Sequence, residues 1–183
     1  EILEFLERIL SVKYTILKAL NGREALHLLQ EHAIQLIISD VMMPDMDGFE
    51  LCRAIKSNVE HSHIPVILLT AKNTLQSKIE GLELGADAYI EKPFSKEHLQ
   101  AQIASLLANR NMVREYFASS PLVHLNSIAH TRADEHFLEI LHQTICFHIE
   151  DPELDVEQLA RHMNMSRVTL YRKIKAISNL TPI

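Results

Sequence analysis

Short apolar runs and amphipathic stretches alternate along the first part of the chain. Four runs have the length and composition of buried strands, and they cover Tyr14 to Lys18, Gln35 to Asp40, Pro65 to Thr70 and Ala88 to Glu91. Between them, apolar side chains recur every three or four residues, which predicts helices over Ile2 to Leu10, Ala25 to Leu29, Leu75 to Leu82 and Leu99 to Leu107. Strands and helices that alternate in this way predict an α/β fold, a parallel sheet with helices on both faces.

The periodicity weakens over residues 110–132, where a Ser-Ser-Pro run at 119–121 also interrupts it. Such a stretch is typical of a linker. Beyond it, apolar positions such as Phe137, Leu141 and Ile145 again follow helical spacing. The chain is therefore predicted to consist of an α/β domain over 1–109, a linker over 110–132 and an all-α segment over 133–183.

Several helix ends are marked by their polar residues. Asn21, Thr131, Asp155 and Ser166 each stand where a side-chain oxygen would cap a helix N-terminus. Gly85 stands where a helix would end in a left-handed residue.

Composition narrows the range of functions. With 18 Lys and Arg against 24 Asp and Glu, the formal charge of -6 excludes a uniformly basic nucleic-acid-binding surface. No apolar run reaches the roughly 20 residues of a membrane span, and no leader sequence is recognisable, so we expect a soluble segment without membrane contact. Two cysteines far apart in the sequence indicate a reducing compartment, which we take to be cytoplasmic. The acids end before Leu159, whereas five basic residues follow it: Arg161, Arg167, Arg172, Lys173 and Lys175.

Three predicted strands end in chemically complementary side chains. Asp40 follows one strand, Thr70 ends the next, and Lys92 follows the last. Because ligands bind at the carboxyl ends of parallel strands, a carboxylate, a hydroxyl and an ammonium are expected to converge there. This trio suits phosphoryl transfer to Asp40, with Thr70 and Lys92 neutralising the phosphoryl oxygens.

Four short motifs also stand in a familiar order: Asp40, Met43-Pro44-Asp45-Met46-Asp47-Gly48, Thr70-Ala71 and Lys92-Pro93-Phe94. With them, residues 1–109 resemble the CheY-like receiver domain of two-component response regulators. The resemblance implies a doubly wound parallel, flavodoxin-like sheet.

The same resemblance assigns roles to individual residues. Asp40 becomes the phosphoacceptor, a histidine kinase its phosphodonor, and Thr70 and Lys92 the switch residues. Tyr89 would turn inward when Thr70 engages the phosphoryl group, and the Lys92–Pro93 peptide bond would be cis. The protein would be a regulator and not an enzyme.

Magnesium binding is expected of the intact protein but doubtful for this stretch of chain. In receivers an acidic pair after the first strand holds Mg²⁺, and the backbone carbonyl of Met42 would be a further ligand. This chain begins after that strand, so we expect a sheet that lacks its first strand. Asp40 and one carbonyl form a poor Mg²⁺ site, and phosphorylation of this stretch is expected to be weak or absent. The gap also leaves backbone groups unpaired, which favours strand exchange with another chain.

Other readings of these residues carry less weight. A single Asp, Thr or Lys at a strand end is often a turn former or a solvated residue, but the three together are much less often coincidental. Haloacid-dehalogenase-type phosphatases place a second Asp two residues after the acceptor, where this chain has Met42. His61 and His63 are the nearest approach to a metal motif, and no zinc pattern surrounds them.

The basic C-terminal stretch has the length of a helix-turn-helix. Leu170, Ile174 and Ile177 fall on one face of its second helix and are expected to pack inward. The opposite face is predicted to enter a DNA major groove, with Arg172 on a guanine and Tyr171 and Val168 on base edges. Phosphate contacts are assigned to Arg167, Lys173 and Lys175. The simpler alternative is an amphipathic helical pair whose basic face is only solvated.

Residues 137–183, approximately, resemble the first helix-turn-helix of an AraC-type DNA-binding domain. The motifs that show the resemblance are Leu159-Ala160, Met165-Ser166-Arg167, Leu170 to Lys175 and Thr181-Pro182. The second helix-turn-helix of that domain is not in the sequence, so weak DNA affinity is expected. A receiver joined to such a module resembles the C-terminal part of a hybrid regulator, in which a sensor kinase is fused to its own response regulator.

We therefore predict a response regulator in which phosphorylation of Asp40 promotes dimerisation through the face formed by 75–109 and so controls DNA binding. The alternative is a receiver that acts as a dimerisation or protein-interaction module without phosphorylation. An aspartyl-phosphate phosphatase is a third hypothesis.

Overall fold

The computed structural model describes residues 2–71, 84–119 and 131–178. These residues belong to two compact units. The first comprises Glu1–Ile55 and Ile64–Ala108, and the second comprises Lys56–His63 and Asn109–Ile183. A short segment from the middle of the α/β sequence thus belongs to the same unit as the C-terminal helices.

Helices and strands alternate in the α/β part of the chain. Its elements are α1 (Ile2–Leu10), α2 (Gly22–Glu31), β1 (Ile37–Asp40), α3 (Gly48–Ser57), β2 (Val66–Thr70), β3 (Ala88–Glu91) and α4 (Lys96–Ser119). Three helices follow: α5 (Arg132–His148), α6 (Val156–His162) and α7 (Arg167–Ser178). The strands form a parallel sheet in the order β1-β2-β3, which confirms three of the four predicted strands.

The predicted strand over Tyr14 to Lys18 is wrong, because residues 14–18 have no strand structure. A strand is defined by hydrogen bonds to a neighbour, and an alternation of apolar residues does not by itself supply one. A cavity of about 830 Å³ is lined both by residues 13–21 and by β1.

The sheet is covered on both faces, as predicted. All five residues of β2 are buried, and successive side chains in it point to opposite faces. Ile67 and Leu69 pack into one apolar cluster, which also contains residues of α1 and α4. Val66 and Leu68 pack into another, with residues of α2 and α3.

The C-terminal helices share a separate apolar core, which consists of Phe137, Leu138, Leu141, Leu159, Ala160, Leu170 and Ile177. Three predicted caps are present here. The side chains of Thr131, Asp155 and Ser166 accept the backbone N–H of the residue three positions later, at 3.1, 2.7 and 3.1 Å. In the α/β part, Asn21 accepts the N–H of Glu24 at 2.9 Å, and Gly85 has a φ of 84°.

The predicted linker begins as helix. Helix α4 extends to Ser119, past the predicted domain end at 109. Residues 120–130, the predicted helix over 75–82 and the Thr181-Pro182 pair lie outside the described residues. No helix within the described ranges combines the length and the apolarity that crossing a bilayer requires.

Candidate functional site

The carboxyl ends of the three strands bring Asp40 and Lys92 together. The Lys92 ammonium donates to Asp40 Oδ2 at 2.5 Å, and both side chains are about three-quarters buried. Thr70 is at the same edge, since Asp40 pairs with Leu69 in the register and the Lys92 N–H donates to the Thr70 carbonyl at 2.7 Å. The peptide bond between Lys92 and Pro93 is cis. A nucleophilic carboxylate therefore lies against a cation that can neutralise an incoming anion.

The loop after Asp40 folds back onto the acceptor. The Met42 N–H donates to Asp40 Oδ1 at 3.1 Å, so both carboxylate oxygens accept a hydrogen bond. Asp47 caps α3 by accepting the Glu50 N–H at 2.8 Å, and the Glu50 carboxylate accepts the Asp47 N–H at 3.0 Å. This reciprocal cap fixes where the loop ends and the helix begins.

Gly48 is required by the close approach of this loop to the acceptor strand. Its N–H donates to the Val41 carbonyl at 3.0 Å, and a Cβ added to it would lie 2.3 Å from the Asp40 carbonyl oxygen. That oxygen belongs to the backbone of β1, so it cannot move without shifting the acceptor itself.

We therefore expect Gly48→Ala to destabilise the protein by about 1–3 kcal/mol, as overpacking does in other cores. Chemical denaturation followed by circular dichroism measures this loss. Gly22→Ala is the matched control, because a Cβ at Gly22 meets only the flexible side chain of Met46. Equal losses in the two variants would contradict the backbone clash.

Tyr89 is the aromatic residue that precedes Lys92 by three positions. Its ring packs with the apolar cluster that includes α2 and α3 residues, and its hydroxyl is buried. That hydroxyl has no hydrogen-bond partner among the described residues.

The described residues do not complete a magnesium site. Mg²⁺ requires several oxygen ligands in octahedral geometry. Of the ligands that the family resemblance implies, the described residues include Asp40 and the Met42 carbonyl. The Asp45 carboxylate, in the same loop, accepts a hydrogen bond from Asn21 at 3.4 Å. Across residues 2–71, 84–119 and 131–178, no three His, Cys, Asp or Glu side chains are grouped to hold a metal.

In the C-terminal unit, α6 and α7 are joined by a short turn. The Met165 N–H donates to the Ala160 carbonyl at 2.9 Å, and Asn164 adopts a positive φ of 53°. Leu170 and Ile177 are buried in α7, as predicted. The side chains predicted to face DNA are exposed, and they are Arg167, Val168, Tyr171, Arg172 and Lys175.

Lys173 does not belong with them, and its predicted phosphate contact is wrong. Its side chain is fully buried, with the ammonium bonded to the Asp134 carboxylate and, at 2.7 Å, to the Ser62 hydroxyl. Although burial raises the pKa of Asp134, the attraction and hydrogen bond of Lys173 outweigh it and hold that pKa below its ordinary value.

Sequence reasoning missed this buried cluster. Ser62 carries no pattern of its own, and Asp134 lies in the first turn of a helix, where an acidic residue is common. The nearby His63 was examined only as a metal ligand, whereas burial, reinforced by Lys173 and Arg110, lowers its pKa to about 3. The one available signal was the spacing of Lys173 from Leu170 and Ile177, which places it on their face of α7.

Comparison with known families gives a match over most of the α/β part. The sequence model of the family described as "Response regulator receiver domain" matches residues 1–104. A protein named "Histidine kinase P4" from Formosa agariphila is 40% identical over 178 residues, which cover 97% of this chain and 13% of that protein. "Probable transcriptional regulator ycf27" from Cyanidium caldarium is 47% identical over 100 residues, 55% of this chain and 39% of the relative. The chain thus spans well under half the length of these two curated relatives.

Solved structures match the same part of the chain. The signal receiver domain of a histidine kinase from Syntrophus aciditrophicus is 41% identical, with a TM-score of 0.55 over 58% of this chain and 82% of the other. The BeF3-activated DrrB receiver domain is 36% identical, with a TM-score of 0.53 over 58% of this chain and 88% of the other.

Proposed function

Because the chain belongs to the response regulator receiver domain family, we propose that Asp40 accepts a phosphoryl group and that α6 and α7 bind DNA under its control. Receiver domains interact with histidine kinases, generally bind Mg²⁺ at the phosphorylation site and are generally not enzymes. The observation that carries the first part of the proposal is the Asp40–Lys92 ion pair at the sheet edge.

Transfer of a phosphoryl group to Asp40 depends mainly on the positions of the reacting groups and of the charges around them. An Asp40 carboxylate oxygen attacks the phosphorus of the donor, a P–O bond to Asp40 forms, and the bond to the donor's histidine nitrogen or other leaving group breaks. The leaving group keeps the electron pair and takes up a proton. The Lys92 ammonium is already in place to pair with the phosphoryl oxygens, and the Met42 N–H can donate to the same group. In the intact protein, Asp40 and the Met42 carbonyl would help to hold Mg²⁺, which would supply further positive charge at the site.

We propose that Thr70 and Tyr89 change position when Asp40 is phosphorylated and so alter the conformation of the rest of the domain. Thr70 is buried at the strand end, where its hydroxyl can be drawn toward a new anion, and Tyr89 would follow it inward. We propose that this shift favours dimerisation through the face formed by 75–109. A dimer would place two DNA-binding modules on adjacent half-sites.

The DNA-binding part of the proposal rests on the exposed face of α7. A short turn precedes a capped helix whose buried side carries Leu170 and Ile177 and whose other side presents Arg172 and Lys175 to solvent. This arrangement suits an AraC-type helix-turn-helix, with domain boundaries near 109 and 133. The relative named a histidine kinase aligns over 97% of this chain, which favours a hybrid protein in which sensor kinase and regulator share one polypeptide.

The acceptor role is tested by incubating the full-length protein with acetyl phosphate and Mg²⁺ and locating the product by mass spectrometry. A phosphoryl group on the peptide that contains Asp40 supports the proposal. A protein that takes up no phosphoryl group, yet dimerises, would instead be a phosphorylation-independent interaction module.

For DNA recognition, we expect Arg172→Ala to lower affinity for the preferred duplex by about 1–3 kcal/mol and to relax specificity at one base pair. The preferred sequence is obtained by selection of the full-length protein on random-sequence duplexes. Lys175→Ala serves as the control, since losing a phosphate contact weakens binding to all sequences about equally. If both variants select the wild-type sequence with equal stringency, Arg172 does not read a base.

A further inference from the structure

Three polar side chains form a closed hydrogen-bonded triangle inside the C-terminal unit. The Ser62 hydroxyl donates to Asp134 Oδ1 at 2.8 Å, and the Lys173 ammonium donates to both Ser62 and Asp134. All three are buried, and the second Asp134 oxygen has no hydrogen-bond partner among the described residues. Since burying charge is costly, removal of one corner leaves the others as incompletely paired polar groups in an apolar surrounding.

The corners come from three separate segments. Asp134 lies in the first turn of α5 and Lys173 in the middle of α7, whereas Ser62 lies in the connection between α3 and β2. Residues 58–63 of that connection, with the last two residues of α3, belong to the same compact unit as the C-terminal helices. Val59 packs against their apolar core, and Glu60 accepts a hydrogen bond from Thr169 on α7 at 3.5 Å.

We propose that the α3–β2 connection, through Ser62, positions α7 and transmits the state of the acceptor site to it. This inference rests on the proposed functions of Asp40 and α7. Residues along a helix are separated by 100°, so a buried Lys173 with defined partners fixes the direction in which Arg172 and Tyr171 project. Apolar neighbours such as Leu170 fix the rotation of α7 less strictly, because the hydrophobic effect is not directional whereas a hydrogen bond is.

The connection is also placed to respond to phosphorylation. It joins the end of α3, whose first residue Gly48 is bonded to the backbone next to Asp40, to the start of β2, which ends at Thr70. Residues 58–65 join the ends of α3 and β2 that lie away from Asp40. If phosphorylation displaces α3 or β2 near Asp40, the displacement therefore reaches residues 58–65 at the opposite end of that element. Ser62 is then a positioning residue and does not itself contact DNA.

The test compares Ser62→Ala with the wild type in the full-length protein. The measured quantity is the ratio of DNA affinities with and without phosphorylation, on the duplex selected by the wild type. Coupling between sites commonly amounts to about 5- to 150-fold, and we expect Ser62→Ala to bring this ratio close to one while uptake of phosphoryl by Asp40 is unchanged. Ser11→Ala, the same substitution at an exposed position after α1, should retain the wild-type ratio.

A role in stability alone would lower both affinities and leave their ratio unchanged, and that result would overturn the proposal. Hydrogen exchange provides a second readout that needs no variant and no DNA. Phosphorylation of the wild type should change amide protection both in 58–63 and in 167–178, and unchanged protection in either segment would also overturn it. A wild-type protein that binds no DNA in either phosphorylation state would contradict the function proposed for α7. The hydrogen-exchange experiment would still test whether phosphorylation of Asp40 affects residues 58–63 and 167–178.

Discussion

Asp40→Asn is expected to abolish phosphoryl uptake by the full-length protein and, with it, every signal-dependent change in DNA binding. The amide has almost the same shape as the carboxylate, but it has no anionic oxygen to attack phosphorus. It also removes the negative partner of Lys92, so the charge balance at the site changes although the packing does not. The measurement is phosphoprotein formation from acetyl phosphate, together with DNA binding under activating and resting conditions.

Asp45→Asn is the matched control for this experiment. Asp45 is exposed in the same loop, and its positive φ of 64° is a conformation that Asn adopts readily. It should be phosphorylated like the wild type. If Asp40→Asn still responded to the signal with a change in DNA binding, the chain would regulate without an aspartyl phosphate, and the interaction-module alternative would stand.

The proximity of Asp40 and Lys92 at the sheet edge was predictable from the sequence, because it depends on a general property of parallel strands. Asp40 and Lys92 each follow a short apolar run, and the carboxyl ends of such strands meet at one edge. Their contact therefore needed no knowledge of long-range packing. The predicted strand at Tyr14 to Lys18 shows the opposite case, because alternation identifies a segment able to form a strand but not the neighbour that it needs.

Lys173 shows how two sequence signals can conflict. Its charge, in a stretch without acids, indicated a surface that binds phosphate, because lysine is rarely buried. Its spacing of three from Leu170 and four from Ile177 indicated the buried face of α7. The second signal was correct, since Asp134 and Ser62 supply partners for the ammonium. Ser62 lies 111 positions from Lys173 in the sequence, and no local pattern could have paired them.

Asp134→Ala is expected to destabilise the C-terminal helices by about 3–5 kcal/mol, the usual loss when one partner of a buried ion pair is removed. Among the described residues, the truncation leaves the Lys173 ammonium with the Ser62 hydroxyl as its remaining hydrogen-bond partner, 5.8 Å from the Phe137 ring centroid. The loss appears as faster amide exchange in α5, α6 and α7 and as a lower midpoint in urea. Glu135→Ala is the control, because it removes an exposed carboxylate from the same helical turn.

The double variant Asp134→Leu with Lys173→Met separates the ion pair from its packing. Replacing both charges by apolar groups commonly restores most of the stability lost when one partner is removed. Together with the single variants Asp134→Leu and Lys173→Met, the double variant closes a thermodynamic cycle that gives the coupling energy. Lowering the pH should reduce the stability of the C-terminal helices in the same way as Asp134→Ala, because protonation also removes the charge of Asp134. The folded pKa of Asp134 lies below its ordinary value of 3.8, so the carboxylate stabilises the fold above that pH and the contribution disappears as pH falls through the folded pKa. An Asp134→Ala variant that loses less than about 1 kcal/mol, as exposed pairs do, would show that this pair is open to solvent in solution.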